Sequence, residues 1–569
     1  MRVSSAASVV AAVSLAVGCA PSGPPPEKTA DAIYASGKIV TMDPARPSAE
    51  AVAVKDGKIL AVGMRAEVEK AHKGASTKVV DLGGRTLLPG FVDAHSHLKN
   101  VGLQALSANL LPPPDGTVTS IADLEAKLRE FEKGPVGEKL GWIVGFGYDD
   151  SQLAEKRHPT RDDLDAVSKD KPVIVIHQSG HLYVANSKLL EMAGISAKTP
   201  DPPGGVVRRG VKGEPDGVLE ETAGMLVLPV FPKLKGADQR LMVRKGLEAY
   251  ARFGFTTAQE GRAFPSDLAL YKEMAENGEL SLDVVAYPDF WLAHGTLKGD
   301  PWLARTYKGH FRIGGVKGNL DGSPQGKTAW LTKPYVVPPE GKTKEYAGYG
   351  MLKDDQALAM YDEAYANGWQ IITHANGDAA IDQLIRAARA ATAKYGKADR
   401  RSVGVHSQTI REDQLDAYKE LGIIPSLFGM HTFYWGDWHR DSVLGPERAS
   451  RISPAKSVLD RGMIFTQHSD APVALPNSIA ILATQVNRTT RSGQVLGPEQ
   501  RVSAENALRS ITTSAAYQYF EEKTKGSITP GKLADFVVLD RNPLEVEPKA
   551  LWDLQVVETI KEGKTVFSR

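Results

Sequence analysis

From residue 32 onward, hydrophobic and polar positions alternate in two textures. Short β-prone runs stand at both ends: Ile33-Tyr34-Ala35, Lys38 to Met42, Ala51 to Val54, Lys58 to Gly63 and Lys78 to Asp81, then Ala534 to Asp540 and Val556 to Val566. Turn residues separate them, and Asp56-Gly57 is a hairpin signal because a tight two-residue turn needs positive φ at its centre. Two β-rich ends around a long middle predict a small β-sandwich built from both termini, residues 31–89 plus 518–569.

The middle, residues 90–517, interleaves apolar runs with stretches of helical period. The runs include Trp142 to Gly145, Pro172 to Ile176, Gln370 to Thr373, Ser402 to Val405 and Met463 to Thr466. The helical stretches include Ile121 to Phe131, Gln239 to Phe253, Asp355 to Asn367 and Ala379 to Tyr395. Repeated βα units predict parallel strands, so the expected fold class is α/β, a TIM-like (β/α)8 barrel. Residues 99–236 exceed one βα unit and read as an insertion over the mouth. Such barrels carry their chemistry at the C-terminal ends of the strands.

That rule directs attention to Leu87 through Leu98, an apolar run that ends in His95 and His97. Side chains alternate across a strand, so both imidazoles face one way and make half a metal site. Downstream, Lys317 follows Arg312 to Val316, His374 follows Ile371-Ile372-Thr373, His406 follows Val403-Gly404-Val405, and Asp470 follows Ile464-Phe465-Thr466. A lone histidine at a strand end is usually structural. Six such residues at successive strand ends converge on one mouth.

Composition narrows the class. With 569 residues, 69 Lys plus Arg against 68 Asp plus Glu, and 42% hydrophobic residues, the chain has ample core and no basic excess. Nucleic acid is therefore not an expected partner. The single cysteine, Cys19, closes the apolar run Ala6 to Gly18 that follows Arg2, a signal-peptide pattern over residues 1–19. This run is too short to span a membrane. Leu15-Ala16-Val17-Gly18-Cys19 resembles a lipobox, with Ala16 where Leu is usual; the alternative is a secretory signal cleaved near Ala20. The expectation is export, to the periplasm or to a membrane through a lipid anchor, with residues 20–30 a proline-rich tether. No cysteine remains for a disulfide.

Several motifs together resemble the amidohydrolase superfamily, in the branch of YtcJ-type metal-dependent hydrolases and N-substituted formamide deformylases. They are Leu87 to Leu98, Gly180 to Leu189, Val316 to Ser323, His374 to Asp382, His406-Ser407-Gln408, Ser469 to Val473 and Gly526 to Asp535. The resemblance implies a divalent metal, of which Zn²⁺ suits imidazole and carboxylate ligands. His95, His97 and Asp470 would hold one ion, and His374 and His406 a second. It further implies that Lys317 is N6-carboxylated and bridges the two. An unmodified Lys317 would instead stand outside the ligand set, paired with Asp321 or a substrate carboxylate.

On that reading Asp470 takes a proton from the attacking water and returns it to the departing amine. Substrate contacts are expected from His181, Glu221, Trp291, His431 and His468. His468 departs from the family, which commonly carries Gly there. Asp378 reads as a helix-start residue, and Phe428 to His439 as an aromatic loop at the mouth. The expected partner is a small molecule, an N-acyl or N-formyl amine or N-acyl amino acid. A deaminase, a cyclic-amide hydrolase and a non-catalytic surface lipoprotein are the competing readings, and a homo-oligomer is left open.

Overall fold

The computed structural model describes residue 1 and residues 28–232, 234–339 and 341–569. The signal pattern, Cys19 and most of the tether lie outside these described residues. Among the described residues no helix is long and apolar enough to cross a membrane.

Both termini meet in one eight-stranded sheet. Its order is Lys564–Ser568, Val556–Lys561, Phe536–Leu539, Thr86–Pro89, Ala32–Val40, Ser48–Lys55 and Lys58–Gly63, with Lys78–Asp81 paired to Ala32–Val40. Asp56-Gly57 makes the predicted tight turn, with φ of 49° and 73°, between the paired Lys55 and Lys58. Ile33, Ala35, Ala51 and Ala53 pack one apolar cluster, while Tyr34, Val52, Val54, Leu87 and Phe536 pack another. This separation is what period-two alternation produces.

Among the described residues two sheets are wholly parallel. Phe311–Ile313, Asp283–Pro288, Phe255–Ala263 and Phe91–Val92 make one; Gly315–Asn319, Gln370–Ala375, Val403–His406, Ile424–Leu427 and Thr466–Gln467 make the other. The ladder does not close into the predicted ring. Its edge strands Phe91–Val92 and Thr466–Gln467 are two residues each, so the contact between them passes to loops: His97 N–H donates to Ala471 O at 2.7 Å. The predicted run Met463 to Thr466 is correspondingly mostly loop, with Ile464 exposed and only Thr466 and Gln467 paired. The helices Gly236–Arg252, Asp354–Ala366 and Asp378–Tyr395 fall where the period placed them.

Residues within the expected insertion build a sheet of their own, in the order Gly205–Arg209, Pro215–Glu221, Leu182–Ala185, Val173–His177, Ile143–Tyr148 and Ala108–Asn109. Its core is separate, with Leu124, Leu128, Ile143, Val173, Val175 and Val184 buried together.

Charged residues tie the parallel sheets to the C-terminal segment. Arg312 is buried and donates to Glu521 Oε1 at 2.6 and 3.0 Å, while Tyr307 O–H donates to the same oxygen at 2.7 Å. Removing one member of a buried pair strands the other charge. Arg312→Met should therefore lower stability by about 3–5 kcal/mol in urea unfolding; an unchanged midpoint would show that Glu521 is satisfied without it.

Candidate metal centre

Lys317 lies in the middle of the strand Gly315–Asn319, His374 and His406 lie at or next to the ends of theirs, and His95, His97 and Asp470 lie beyond theirs; the backbone is strained at two of the six. His406 and Asp470 have φ of 69° and 53°, and Ser407 has 45°. Such left-handed conformations cost of order 1–3 kcal/mol and concentrate at functional sites. His95, His97 and Asp470 come together: His95 Nε2 and His97 Nε2 each lie 3.4 Å from Asp470 Oδ1. That oxygen is buried and has no hydrogen-bond partner.

Neighbouring groups fix the tautomers so that lone pairs face inward. His95 Nδ1–H donates to Gln259 Oε1 at 2.6 Å, and Gln259 Nε2 itself donates to Tyr519 Oη and Ala94 O. His95 Nε2 is then the lone-pair nitrogen and lies 3.2 Å from Lys317 Nζ. His374 Nε2 lies 3.2 Å from Gly322 O and 3.1 Å from Asn376 Nδ2, while Nδ1 faces His406 Nε2 at 3.1 Å. His406 Nδ1–H donates to His468 Nε2 at 3.0 Å, and His468 Nδ1–H to Ser426 Oγ at 3.0 Å.

Burial and charge reinforce these forms. Burial, followed by Lys317, holds His95 well below its ordinary value; burial, followed by His374, does the same to His406. His374 is lowered by burial. Burial pushes the Lys317 amine down to about 7. For Asp470 burial opposes ionisation, yet His97 holds the carboxyl below the usual carboxylate range. His97 runs the other way: burial works against its charge, but Asp470 and Glu260 raise it. Neutral imidazoles at His95, His374 and His406, an ionised carboxylate with an orphaned oxygen and a readily neutralised amine are a donor set that fits a divalent cation.

The remaining predicted residues divide by position. His181 and His431 line the narrow cavity at this centre, whose volume of about 10 Å³ is roughly that of one water. Glu221 supports His181: Oε2 accepts from Nδ1 at 2.6 Å and Oε1 from Thr328 O–H at 2.6 Å, with Glu221 itself at φ 51°. Burial works against charge on His181, but Glu221 raises it. Gly322 makes room for that carboxylate, since a Cβ there would collide with Glu221 Oε1.

Two expectations of substrate contact are displaced. His468 does not line the cavity; it is fully buried behind His406, which it orients. Trp291 is 42% exposed and packs edge-on against Phe290, outside the cavity lining, because its helix Phe290–Leu297 turns it toward solvent. Asp378 is in the first turn of its helix and accepts from Thr332 N–H. Glu260, absent from the predicted set, sits with Oε1 3.8 Å from His97 Nδ1. It lies within the strand Phe255–Ala263, three residues before its end, after the run Phe255-Thr256-Thr257-Ala258, which is too mixed to stand out as an apolar strand.

Groups that orient a metal-ligating histidine typically set metal affinity by 10–100-fold. His468→Ala should leave the fold intact and weaken divalent-metal binding by about that factor, measured by competition with a chromophoric chelator. Undiminished affinity would show that His406 needs no such partner.

Comparison with known proteins gives the family. Residues 78–567 match the family described as Amidohydrolase family. The chain is 30% identical to Protein LONG AFTER FAR-RED 3 of Arabidopsis thaliana, with 96% of this chain and 93% of that protein covered. It is 27% identical to the Putative amidohydrolase YtcJ of Bacillus subtilis, covering 95% and 99% of the two chains. Identity to the N-substituted formamide deformylase of Arthrobacter pascens is also 27%, over 95% and 98%. In fold it resembles the crystal structure of an uncharacterized metal-dependent hydrolase from Pyrococcus horikoshii, with TM-score 0.72 at 24% identity over 91% of this chain and 99% of that one. With the family match spanning nearly all of the described residues, this chain belongs to the amidohydrolase family, the hydrolases of carbon–nitrogen bonds.

Proposed function

We propose that this chain is an exported amidohydrolase that cleaves the amide bond of a small-acyl substrate, an N-formyl or N-acyl amine or amino acid. The carrying observation is the convergence of His95 Nε2, His97 Nε2 and the orphaned Asp470 Oδ1 beside Lys317. His95, His97 and Asp470 would hold one divalent ion, Zn²⁺ by ligand preference, and His374 and His406 a second, with Lys317 carboxylated between them. Such ions supply Lewis-acid polarisation of a carbonyl and acidify water.

The protein's own groups do the rest. Asp470, ionised and aimed at the cavity, takes the proton of the attacking water and returns it to the amine nitrogen as the C–N bond breaks. His181, held by Glu221, presents Nε2 to the substrate carbonyl oxygen, and His431 borders the acyl side. The deformylase named among the relatives supports a formyl group in particular.

The same reading treats the two parallel sheets as arcs of one (β/α)8 barrel. The bridge between Asp289 and Lys317 supports one seam, and the His97 to Ala471 hydrogen bond the other. The terminal sheet, with apolar clusters on both faces, serves as the small β-sandwich, and export rests on the Arg2 to Cys19 pattern.

Metal analysis of the purified protein, followed by N-formyl amines, N-acyl amino acids, aryl amides and heteroaromatic amines as substrates, tests this. Bound divalent metal and release of amine plus carboxylate are expected. Ammonia released only from heteroaromatic amines would make it a deaminase, and no metal with no turnover would sink the proposal.

A further inference from the structure

The cavity at the metal centre is too small for a substrate. Its volume of about 10 Å³ is roughly that of one water, so an amide has no room beside Asp470 unless a wall moves. The barrel walls are fixed, because Gly315–Asn319, Gln370–Ala375, Val403–His406 and Ile424–Leu427 are laddered to one another in turn. The wall that supplies Ser179 and His181 is different. It belongs to the insertion sheet, which buries its own core and joins the rest of the chain by two crossings, one after Ala105 and one after Glu221.

Those crossings are loosely packed. An apolar cavity of about 260 Å³ lies between them, lined by Leu106 and Ser107 of the first, Phe231, Pro232 and Leu234 of the second, and Leu140 of the insertion. Well-packed interiors keep few voids larger than a water molecule, so the chain can turn here without displacing a filled core. Further bonds, from Thr328 O–H to Glu221 Oε1 at 2.6 Å and from Tyr349 O–H to Glu220 Oε2 at 3.4 Å, fall beside the second crossing.

At the mouth the insertion is pinned by two side-chain bonds. Ala108–Asn109 and Ile143–Tyr148 are parallel neighbours, so the chain leaves both at one end, and Asp115 and Asp149 follow there. Tyr434 O–H donates to Asp115 Oδ2 at 2.5 Å, and Trp435 Nε1–H to Asp149 Oδ2 at 2.7 Å. The donors are consecutive on the helix His431–Trp438 and are buried in the barrel's core, whereas the acceptors belong to the insertion. His431, which borders the small cavity, stands one turn before Trp435, with ring centroids 4.6 Å apart. One helix thus lines the cavity and holds the insertion against it.

We propose that residues 108–221 form a lid that turns about the crossings near Leu106 and Phe231, shut by the Tyr434–Asp115 and Trp435–Asp149 hydrogen bonds and opened by their release to admit substrate. Hinges of this kind place the motion in a few residues at element ends, and local opening needs less free energy than unfolding of the whole chain. The purpose of the motion rests on the reading of this cavity as the reaction site; the motion itself does not.

His431 reports the opening, since it is 2% exposed with Nδ1 bonded to His439 Nε2 at 2.9 Å. Its carbethoxylation by diethyl pyrocarbonate in the full-length protein, mapped by mass spectrometry, is compared with hydrogen exchange of the amides of Gln370–Ala375, which requires unfolding of the barrel. Wild-type His431 is expected to be modified through openings far more frequent than that exchange. Tyr434→Phe and Asp115→Ala should each speed the modification by about tenfold or more, the scale of one hydrogen bond to a charged group. Arg312→Met, remote from the latch, should speed exchange in the barrel and leave His431 modification unchanged. Modification no faster than barrel exchange, or rising in step with it in Arg312→Met, overturns the lid. So does a wild-type rate in Tyr434→Phe or, should that variant not fold, in Asp115→Ala. No substrate enters the measurement, so failure of the lid and failure of the amidase reading are distinguishable.

Discussion

Asp470→Asn is expected to fold normally and to lose amide hydrolysis by at least about 10²–10⁴-fold, the contribution of a positioned general acid–base group. The substitution preserves shape, so the left-handed backbone at φ 53°, which Asn tolerates as readily as Asp, should survive. What it removes is the carboxylate, and three features of the site depend on that charge. Oδ1 is buried without a hydrogen-bond partner, His95 and His97 converge on it at 3.4 Å, and the Asn amide cannot take up a proton from water at neutral pH. Because His97 keeps the Asp470 carboxyl below its ordinary range, the group is ionised and able to accept a proton across the neutral range; the share of the pH profile that belongs to Asp470 should fall only as acid protonates the carboxylate. Steady-state kcat/KM on the best substrate, with circular dichroism and metal content measured alongside, checks this. A folded, metal-loaded Asn variant with wild-type turnover would remove Asp470 from the proton transfers.

Much of this centre was legible because one geometric rule, chemistry at C-terminal strand ends, converts apolar runs into positions. His95, Lys317, His374, His406 and Asp470 each follow such a run, and no contact information was needed to pick them out. The rule is silent where a run is mixed, which is why Glu260 escaped it, and where a side chain reaches the cavity from another layer. Ser179, His181 and Glu221 come from the insertion sheet, and their meeting with Ser323 and His374 depends on how that sheet packs, which no local spacing encodes. Tautomers are similarly invisible in sequence. His468 was expected as a substrate contact because it stands where the family commonly carries Gly, two residues before Asp470, whereas its ring is bonded between His406 and Ser426. Closure of the barrel failed to follow from the pattern because the edge strands contribute two residues each, too short for a continuous ladder.

Lys317→Ala should cost more than any other single change at the centre if, as proposed, the carboxylated lysine joins the two ligand sets. Its Nζ is buried 3.2 Å from His95 Nε2, and the Asp289–Lys317 bridge fixes the strand that carries it beside the neighbouring sheet. An ammonium in that position repels a cation and cannot serve as a ligand. Burial lowers the amine to about 7, so it is cationic below that pH and largely neutral above it, and only the neutral amine adds carbon dioxide to become a carboxylate. Three results follow. Metal-stripped wild-type protein should reload with added bicarbonate far better above about pH 7 than below it. Lys317→Ala should bind less metal and lose most amide hydrolysis. Acetate or propionate, small enough to occupy the space left by the side chain, should restore part of both. The pH and bicarbonate dependence separates this from a merely structural lysine, whose loss would not be answered by a carboxylic acid. Reloading indifferent to bicarbonate, together with a Lys317→Ala variant that holds a full complement of metal, would leave His95, His97 and Asp470 as a one-ion site and return Lys317 to the alternative outside the ligand set, paired with Asp321 or a substrate carboxylate.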